Sequence, residues 1–298
     1  MHISYTCQPS PDAAVNEDFI VAGERFVIVL DGATASGLPW GCEHDVRWLA
    51  TRLGGQLAGV LIEEPGLSLV EVLREGIVRT RNLHPQCDLT NPNSPSSTVA
   101  IVREHEGRLD CITLCDTPVI VKTVDGVVTA LVDDRTAHLP AYDRDSLSRL
   151  RNSDEGFWVA STKPEAADRA VTGSFATSEV QSFALVTDGI SRLVDRYGWS
   201  WEQLLGTLEK QGPEQAVAAI REAELATEPG TFRGKRQDRG ATRPNCGQAH
   251  KALTESQQLT APRSCSAPDQ AGHRPKPLRH PRGNVHAATK WLTRWGDS

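Results

Sequence analysis

What this chain lacks narrows its class first. None of its apolar runs approaches the roughly 18 to 20 residues that a membrane helix needs, so no part of it is expected to cross a bilayer as a helix. The N-terminus, Met1-His2-Ile3-Ser4-Tyr5, has no basic-then-apolar pattern of the secretory kind, which predicts an intracellular, cytoplasmic protein. No C-x-x-C pair is present. The seven cysteines (Cys7, Cys42, Cys87, Cys111, Cys115, Cys246 and Cys265) are odd in number and scattered, which predicts buried, reduced thiols acting as small hydrophobes. There is no internal repeat, and no G-x-S-x-G elbow accompanies Ser96-Ser97-Thr98, which argues against a serine nucleophile there.

What is present is enough for a substantial core. An apolar content of 39% over 298 residues permits one large or two small globular domains. The net charge of -6 hides an asymmetry: residues 239–298 hold 10 Lys/Arg against 3 Asp/Glu, whereas the first 238 hold 22 against 35. An acidic body argues against a nucleic-acid-binding core.

Short Val, Ile and Leu runs bounded by Gly, Asp or Pro predict strands at Asp18–Ala22, Phe26–Leu30, Thr98–Val102, Leu109–Leu114, Val119–Val124, Val127–Val132 and Phe183–Val186. Asp125-Gly126 between two of these runs predicts a hairpin. Helical spacing appears at Trp48, Leu49, Leu53, Leu57 and Leu61, and again at Leu69, Val72, Leu73, Ile77 and Val78. Two further helices are expected at Trp199–Lys210 and Pro213–Leu225, with Pro213 in the first turn. Trp158, Trp199 and Trp201 are expected to be core or helix-packing residues. Strand blocks followed by helix blocks predict an α+β layered sandwich. After Asp238 the apolar pattern stops, and residues 239–298 are expected to form a basic, disordered, low-complexity tail.

Three apolar strands run into an aspartate: Asp31-Gly32 after Phe26–Leu30, Asp116 after Ile112–Cys115, and Asp188-Gly189 after Phe183–Thr187. Asn16-Glu17-Asp18 opens a fourth. Any one Asp-Gly is more often a turn than a ligand. Together they need a different account, because two unit charges about 4 Å apart repel by roughly 4 kcal/mol at an effective dielectric of 20. A cation belongs among them, and an all-oxygen donor set favours Mg²⁺ or Mn²⁺ over zinc. Cys42 and His44, two residues apart at a helix start, are expected to point in different directions and to form neither a nucleophile pair nor a metal site.

In order and spacing, Asn16-Glu17-Asp18-Phe19, Asp31-Gly32-Ala33-Thr34, Ser96-Ser97-Thr98-Val99-Ala100, Cys115-Asp116-Thr117-Pro118 and Thr187-Asp188-Gly189-Ile190-Ser191 resemble the motifs of the metal-dependent Ser/Thr protein phosphatases of the PPM (PP2C-like) family, bacterial type, over residues 1–238. The resemblance implies a four-layer α-β-β-α sandwich of two antiparallel sheets flanked by helices. It also implies two Mn²⁺ or Mg²⁺ ions, with a third in some members, and a phosphorylated protein as substrate. On that reading Asp31 bridges the metals, the Gly32 carbonyl binds one, and Asp188 and Asp238 complete the set. Asp116 binds the third ion, while Glu17 and Asp18 hold metal-bound water; Asp18 and Asp31 are the catalytic pair.

The chain departs from the family pattern at several points. Pro11-Asp12-Ala13-Ala14-Val15 lacks the arginine that grips phosphate, Ala33 stands where many members have histidine, and Cys115-Asp116-Thr117 replaces Gly-Asp-Ser. Arg239 to Asn245, with Pro244, is wrong for the core strand expected after Asp238; a displaced reading frame or a diverged terminus accounts for it. Two other readings compete with the enzyme. One is a catalytically impaired, phosphoprotein-binding member of the same fold, and the other is a nucleic-acid binder acting through the basic tail.

Overall fold

A computed structural model describes residues 1–10, 15–33, 39–228 and 231–232. Asp238 and the tail lie outside the described residues. Among the described residues, eight strands and six α-helices follow in the order β1 (Phe19–Ala22), β2 (Phe26–Ala33), α1 (Val46–Glu63), α2 (Leu69–Arg81), β3 (Ser96–His105), β4 (Arg108–Leu114), β5 (Val119–Thr123), β6 (Val128–Leu131), α3 (Arg144–Leu150), β7 (Val171–Ala176), β8 (Val180–Leu185), α4 (Asp188–Asp195), α5 (Trp201–Gln211) and α6 (Pro213–Ala226).

The strands form two antiparallel sheets, ordered β1-β2-β3-β4-β7 and, among the described residues, β6-β5-β8. The two-residue period of each strand decides which layer its side chains enter. Val27 and Val29 of β2, Ala100 and Val102 of β3, and Leu109 and Cys111 of β4 meet Val119, Val121, Phe183 and Leu185 of the other sheet in one inter-sheet core. The alternate residues, Ile28, Leu30, Ile101, Ile112 and Leu114, face the other way and pack on α1 and α2. Ile120 and Ala184 turn outward from the smaller sheet onto α4, α5 and α6. The result is the four-layer α-β-β-α sandwich that the resemblance implies.

Local chemistry sets the element ends. Asp45 caps α1 by accepting from the Trp48 amide at 2.7 Å. Ser68 with Glu71 and Ser200 with Gln203 form capping boxes on α2 and α5, and Pro213 opens α6. At the β5–β6 hairpin the Gly126 amide donates to the Thr123 carbonyl at 2.9 Å, and Gly126 takes the positive φ, +88°, that the turn demands.

Several elements differ from expectation. β2 continues through Asp31 and Gly32, so these residues sit inside a paired strand, Asp31 opposite Thr98 and Gly32 opposite Ser97. β7, α3 and α4 were not expected. Trp158 is buried in the core under α1 and α2, while Trp199 and Trp201 pack against α4 to α6.

Candidate metal centre

The carboxylates reach one region from four places in the fold. Asp18 immediately precedes β1, and Phe19 pairs with Leu30, so the antiparallel register carries Asp18 toward Asp31. The Asn16 side chain shapes this approach by accepting from the Asp18 amide at 3.0 Å. Gly32 has to be glycine here: a Cβ on it would lie 2.7 Å from the Glu17 carbonyl oxygen and 2.4 Å from a Val46 methyl. The Glu17-Asp18 backbone is thus held directly against the Asp31-Gly32 strand end. Ser97 Oγ fixes that end by donating to the Asp31 carbonyl at 3.0 Å.

Asp116 follows β4 in a tight turn whose first residue, Cys115, has φ +67°. The left-handed conformation that glycine would supply is kept with a cysteine in place. It is held by the Cys115 amide donating to Asp133 Oδ2 at 2.6 Å, and Asp133 is in turn clamped by Arg135 at 2.5 Å. Below the turn, Thr113 Oγ1 donates to the Thr117 carbonyl at 2.6 Å, and the Thr117 and Thr98 hydroxyls share a short hydrogen bond that ties β4 to β3.

Asp188 is the first residue of α4, where the helix dipole favours a carboxylate. Its Oδ2 accepts from Arg192 Nη2 at 2.9 Å, and Arg192, only 3% exposed, also reaches Glu224 of α6 at 3.2 Å. Sequence reasoning overlooked Arg192. An arginine four residues after an aspartate within an amphipathic stretch was the available signal.

The electrostatics report how close these acids lie. Asp18 is held well above the ordinary carboxylate range, first by burial, then by the charge of Asp31, with Cys7, a hydrogen bond to Asp31, and Asp188 adding to it. Both of its carboxyl oxygens are sealed from solvent. Asp116 is raised by burial and then by Asp188. Asp18, Asp31, Asp188 and Asp116 therefore share one field. The Cys7 thiol, which accepts a hydrogen bond from Asn16 Nδ2 at 3.1 Å, is raised too, by burial first. A set of mutually repelling oxygen donors, Asp18 buried and Asp31, Asp116 and Asp188 partly exposed, fits hard divalent cations such as Mn²⁺ or Mg²⁺.

A match to the protein phosphatase 2C family spans residues 8–223. The chain belongs to this family. No curated protein matches it. Among solved structures, the chain is similar to the Mycobacterium tuberculosis serine/threonine phosphatase PstP/Ppp, at 16% identity over 74% of this chain and 92% of that one, TM-score 0.48. A structure of the PstP catalytic domain in complex with two manganese ions aligns at 17% identity over 74% and 90%, TM-score 0.47. A Caenorhabditis elegans sex determining protein aligns at 14% identity over 75% and 62%, TM-score 0.51, a likeness of fold. The protein phosphatase 2C architecture thus accounts for both sheets and their flanking helices.

The cysteine expectation is corrected in part. Cys111 and Cys115 are buried, but Cys7, Cys42 and Cys87 are only half-buried. Cys42 and His44 do not diverge: Sγ and Nδ1 lie 3.6 Å apart. Both precede the Asp45 cap, in a turn where helical periodicity does not apply.

Proposed function

We propose that the protein hydrolyses phosphoserine and phosphothreonine esters in phosphorylated proteins, using Mn²⁺ or Mg²⁺ ions held by the carboxylate cluster. The observation that carries this reading is the placement of Asp18, Asp31, Asp116 and Asp188, delivered by four separate elements to where their charges raise Asp18 and Asp116. Asp31, the Gly32 carbonyl and Asp188 would hold two ions, and Asp116 would serve a third. Asp238 is the remaining ligand proposed from the family pattern. When bound, such ions acidify water and neutralise the phosphate charge as it develops.

The chain's own residues prepare the site for this. Burial and the charge of Asp31 favour a proton on Asp18, and cations would replace it as the neutralising charge. Asp18 and Glu17, fixed against Gly32, would orient water on the phosphate side. Arg192 orients the Asp188 carboxylate and offsets part of the acidic field. Ala33 supplies no acid for the leaving oxygen, so protonation falls to water.

The test is Mn²⁺-dependent hydrolysis of an aryl phosphate and of a phosphothreonine peptide by the full chain. Asp31→Asn and Asp188→Asn should each lower kcat at least 100-fold, on the order of what removing a principal electrostatic stabiliser costs, while keeping the wild-type far-UV spectrum. Wild-type rates in both variants would remove the metal-site assignment. Phosphopeptide binding without turnover by the wild type would favour the impaired, binding-only member of the fold.

A further inference from the structure

Away from the carboxylate cleft, the turn entering α1 meets the loop leaving α2. Four side chains converge there: Cys42 and His44 from the first, His84 and Cys87 from the second. Cys42 Sγ lies 3.5 Å from Cys87 Sγ, 3.5 Å from His84 Nδ1 and 3.6 Å from His44 Nδ1, and Cys87 Sγ lies 3.7 Å from His44 Nδ1. All four ligand atoms fall within 4.8 Å of one another.

These lengths can be compared with a metal polyhedron. Tetrahedral zinc, with Zn–S of about 2.3 Å and Zn–N of about 2.0–2.1 Å, has edges of about 3.8 Å between sulfurs and about 3.5–3.6 Å between sulfur and nitrogen. These four separations lie within about 0.3 Å of those edges, and the other two pairs, His44–His84 and His84–Cys87, lie within 4.8 Å. A disulfide would instead need the sulfurs at about 2.05 Å, far inside the observed 3.5 Å.

The surroundings hold the ligands in place. The His44 amide donates to Cys42 Sγ at 3.4 Å, an interaction that favours thiolate charge. Trp48 stacks on the His44 ring at 3.9 Å and meets the buried His84 ring edge-on at 5.0 Å, so one indole orients both imidazoles. The two loops are joined by the Asp88 amide donating to the Gly41 carbonyl at 2.8 Å. Gly41 has φ +66°, and a Cβ there would come within 2.9 Å of Asp88 Cβ.

We propose that Cys42, His44, His84 and Cys87 form a structural zinc site. Four protein ligands leave no open coordination position, which is the arrangement of a structural rather than a catalytic zinc. The clasp joins the chain segment that leaves β2 to the one that enters β3. Residues 39–45 lie between β2, which carries Asp31, and α1; residues 82–95 feed into Ser96 and Ser97, whose hydroxyls bond the Ala33 and Asp31 carbonyls. Zinc here would hold the cleft's frame without entering its chemistry, and the inference stands whether or not the carboxylates support phosphate hydrolysis.

The experiment is metal analysis of the full chain, purified under reducing conditions and dialysed against a chelator mild enough to strip only loosely held ions. One zinc per chain is expected to remain, and Asp31→Asn should retain it equally. Cys42→Ser/Cys87→Ser should fall to background zinc and melt at lower temperature. Should that variant fail to fold, the wild type still decides. Cobalt exchanged for the zinc is expected to give a tetrahedral d–d envelope with thiolate-to-cobalt charge transfer, and Cys42 and Cys87 should react with an aromatic disulfide reagent only after metal removal. Any of three results overturns the proposal: no zinc and no cobalt charge transfer in reduced protein, zinc retained by a folded double variant, or a Cys42–Cys87 disulfide found by peptide mapping of the native chain.

Discussion

At the scale of single residues, position matters more than type. Gly32 lies in a fully paired strand, yet it cannot carry a side chain because Glu17 and Val46 occupy the space its Cβ would take. Gly32→Ala should therefore destabilise the fold by about 1–3 kcal/mol, the usual cost of overpacking, as read by urea denaturation. Because the backbone that must yield carries Glu17 and Asp18, Mn²⁺-dependent turnover should fall by more than the lost folded fraction. An alanine variant with unchanged stability and rate would show that the Glu17 segment moves freely. Asp31-Gly32 was legible in the sequence as part of an ordered motif set. The Cys42, His44, His84 and Cys87 convergence was not, since forty residues separate its halves and both lie in loops where no periodicity predicts direction. The C-x-H and H-x-x-C spacings beside helix ends were the only signal.

Elements carry the next level of the argument. α1 and α2 were readable because each keeps an apolar stripe on one face, and β2 to β5 because their residues are buried on both faces. β7 escaped because it is an edge strand of the larger sheet: Val171, Thr172 and Ser174 are exposed, so no apolar run marks it. α4 escaped because its eight residues follow the β8 run closely and Asp188-Gly189 reads as a turn. Its stripe of Ile190 and Leu193 is buried against α5 and α6. α4 also shows how a short helix can hold a functional carboxylate firmly. Arg192, almost wholly out of water, bridges Asp188 on its own helix, a third exposed, to the mostly buried Glu224 on α6. Arg192→Gln should cost about 3 kcal/mol, within the range for removing one partner of a buried ion pair. Glu224→Gln should cost less, because Asp188 remains to balance the guanidinium. If the two variants melt together with the wild type, the bridge is not holding α4 to α6.

For the molecule as a whole, the four layers bring charges together that the folded chain alone does not neutralise, so metal, protons and stability are linked. Burial and Asp31 raise the Asp18 carboxyl well above its ordinary value. Near pH 3, below the ordinary aspartate value of about 3.9, Asp18 is largely protonated in both the folded and the unfolded chain. As pH rises, the unfolded chain gives up this proton first while the folded one keeps it, so in this interval the folded state binds more protons and stability declines until the folded carboxyl itself ionises. Other acids act with the opposite sign: Asp88 and Asp143 are lowered by hydrogen bonds from Thr90 and Ser146, and they stabilise the fold as pH rises. The difference between wild type and Asp18→Asn isolates the buried acid. In chelator, the Asn variant should lie closest to the wild type near pH 3 and melt progressively higher than it toward neutral pH. Saturating Mn²⁺ at pH 7.5 should reverse that order, because cations bound to the folded state stabilise the intact carboxylate set by mass action and the variant gains less. Melting curves recorded at several pH values in chelator and in Mn²⁺ measure both arms. A difference that stays flat with pH in chelator would show that Asp18 is not held in the field of its neighbours. A pH-dependent difference that Mn²⁺ fails to reverse would leave the acidic cluster in place but take Asp18 out of its metal-binding set.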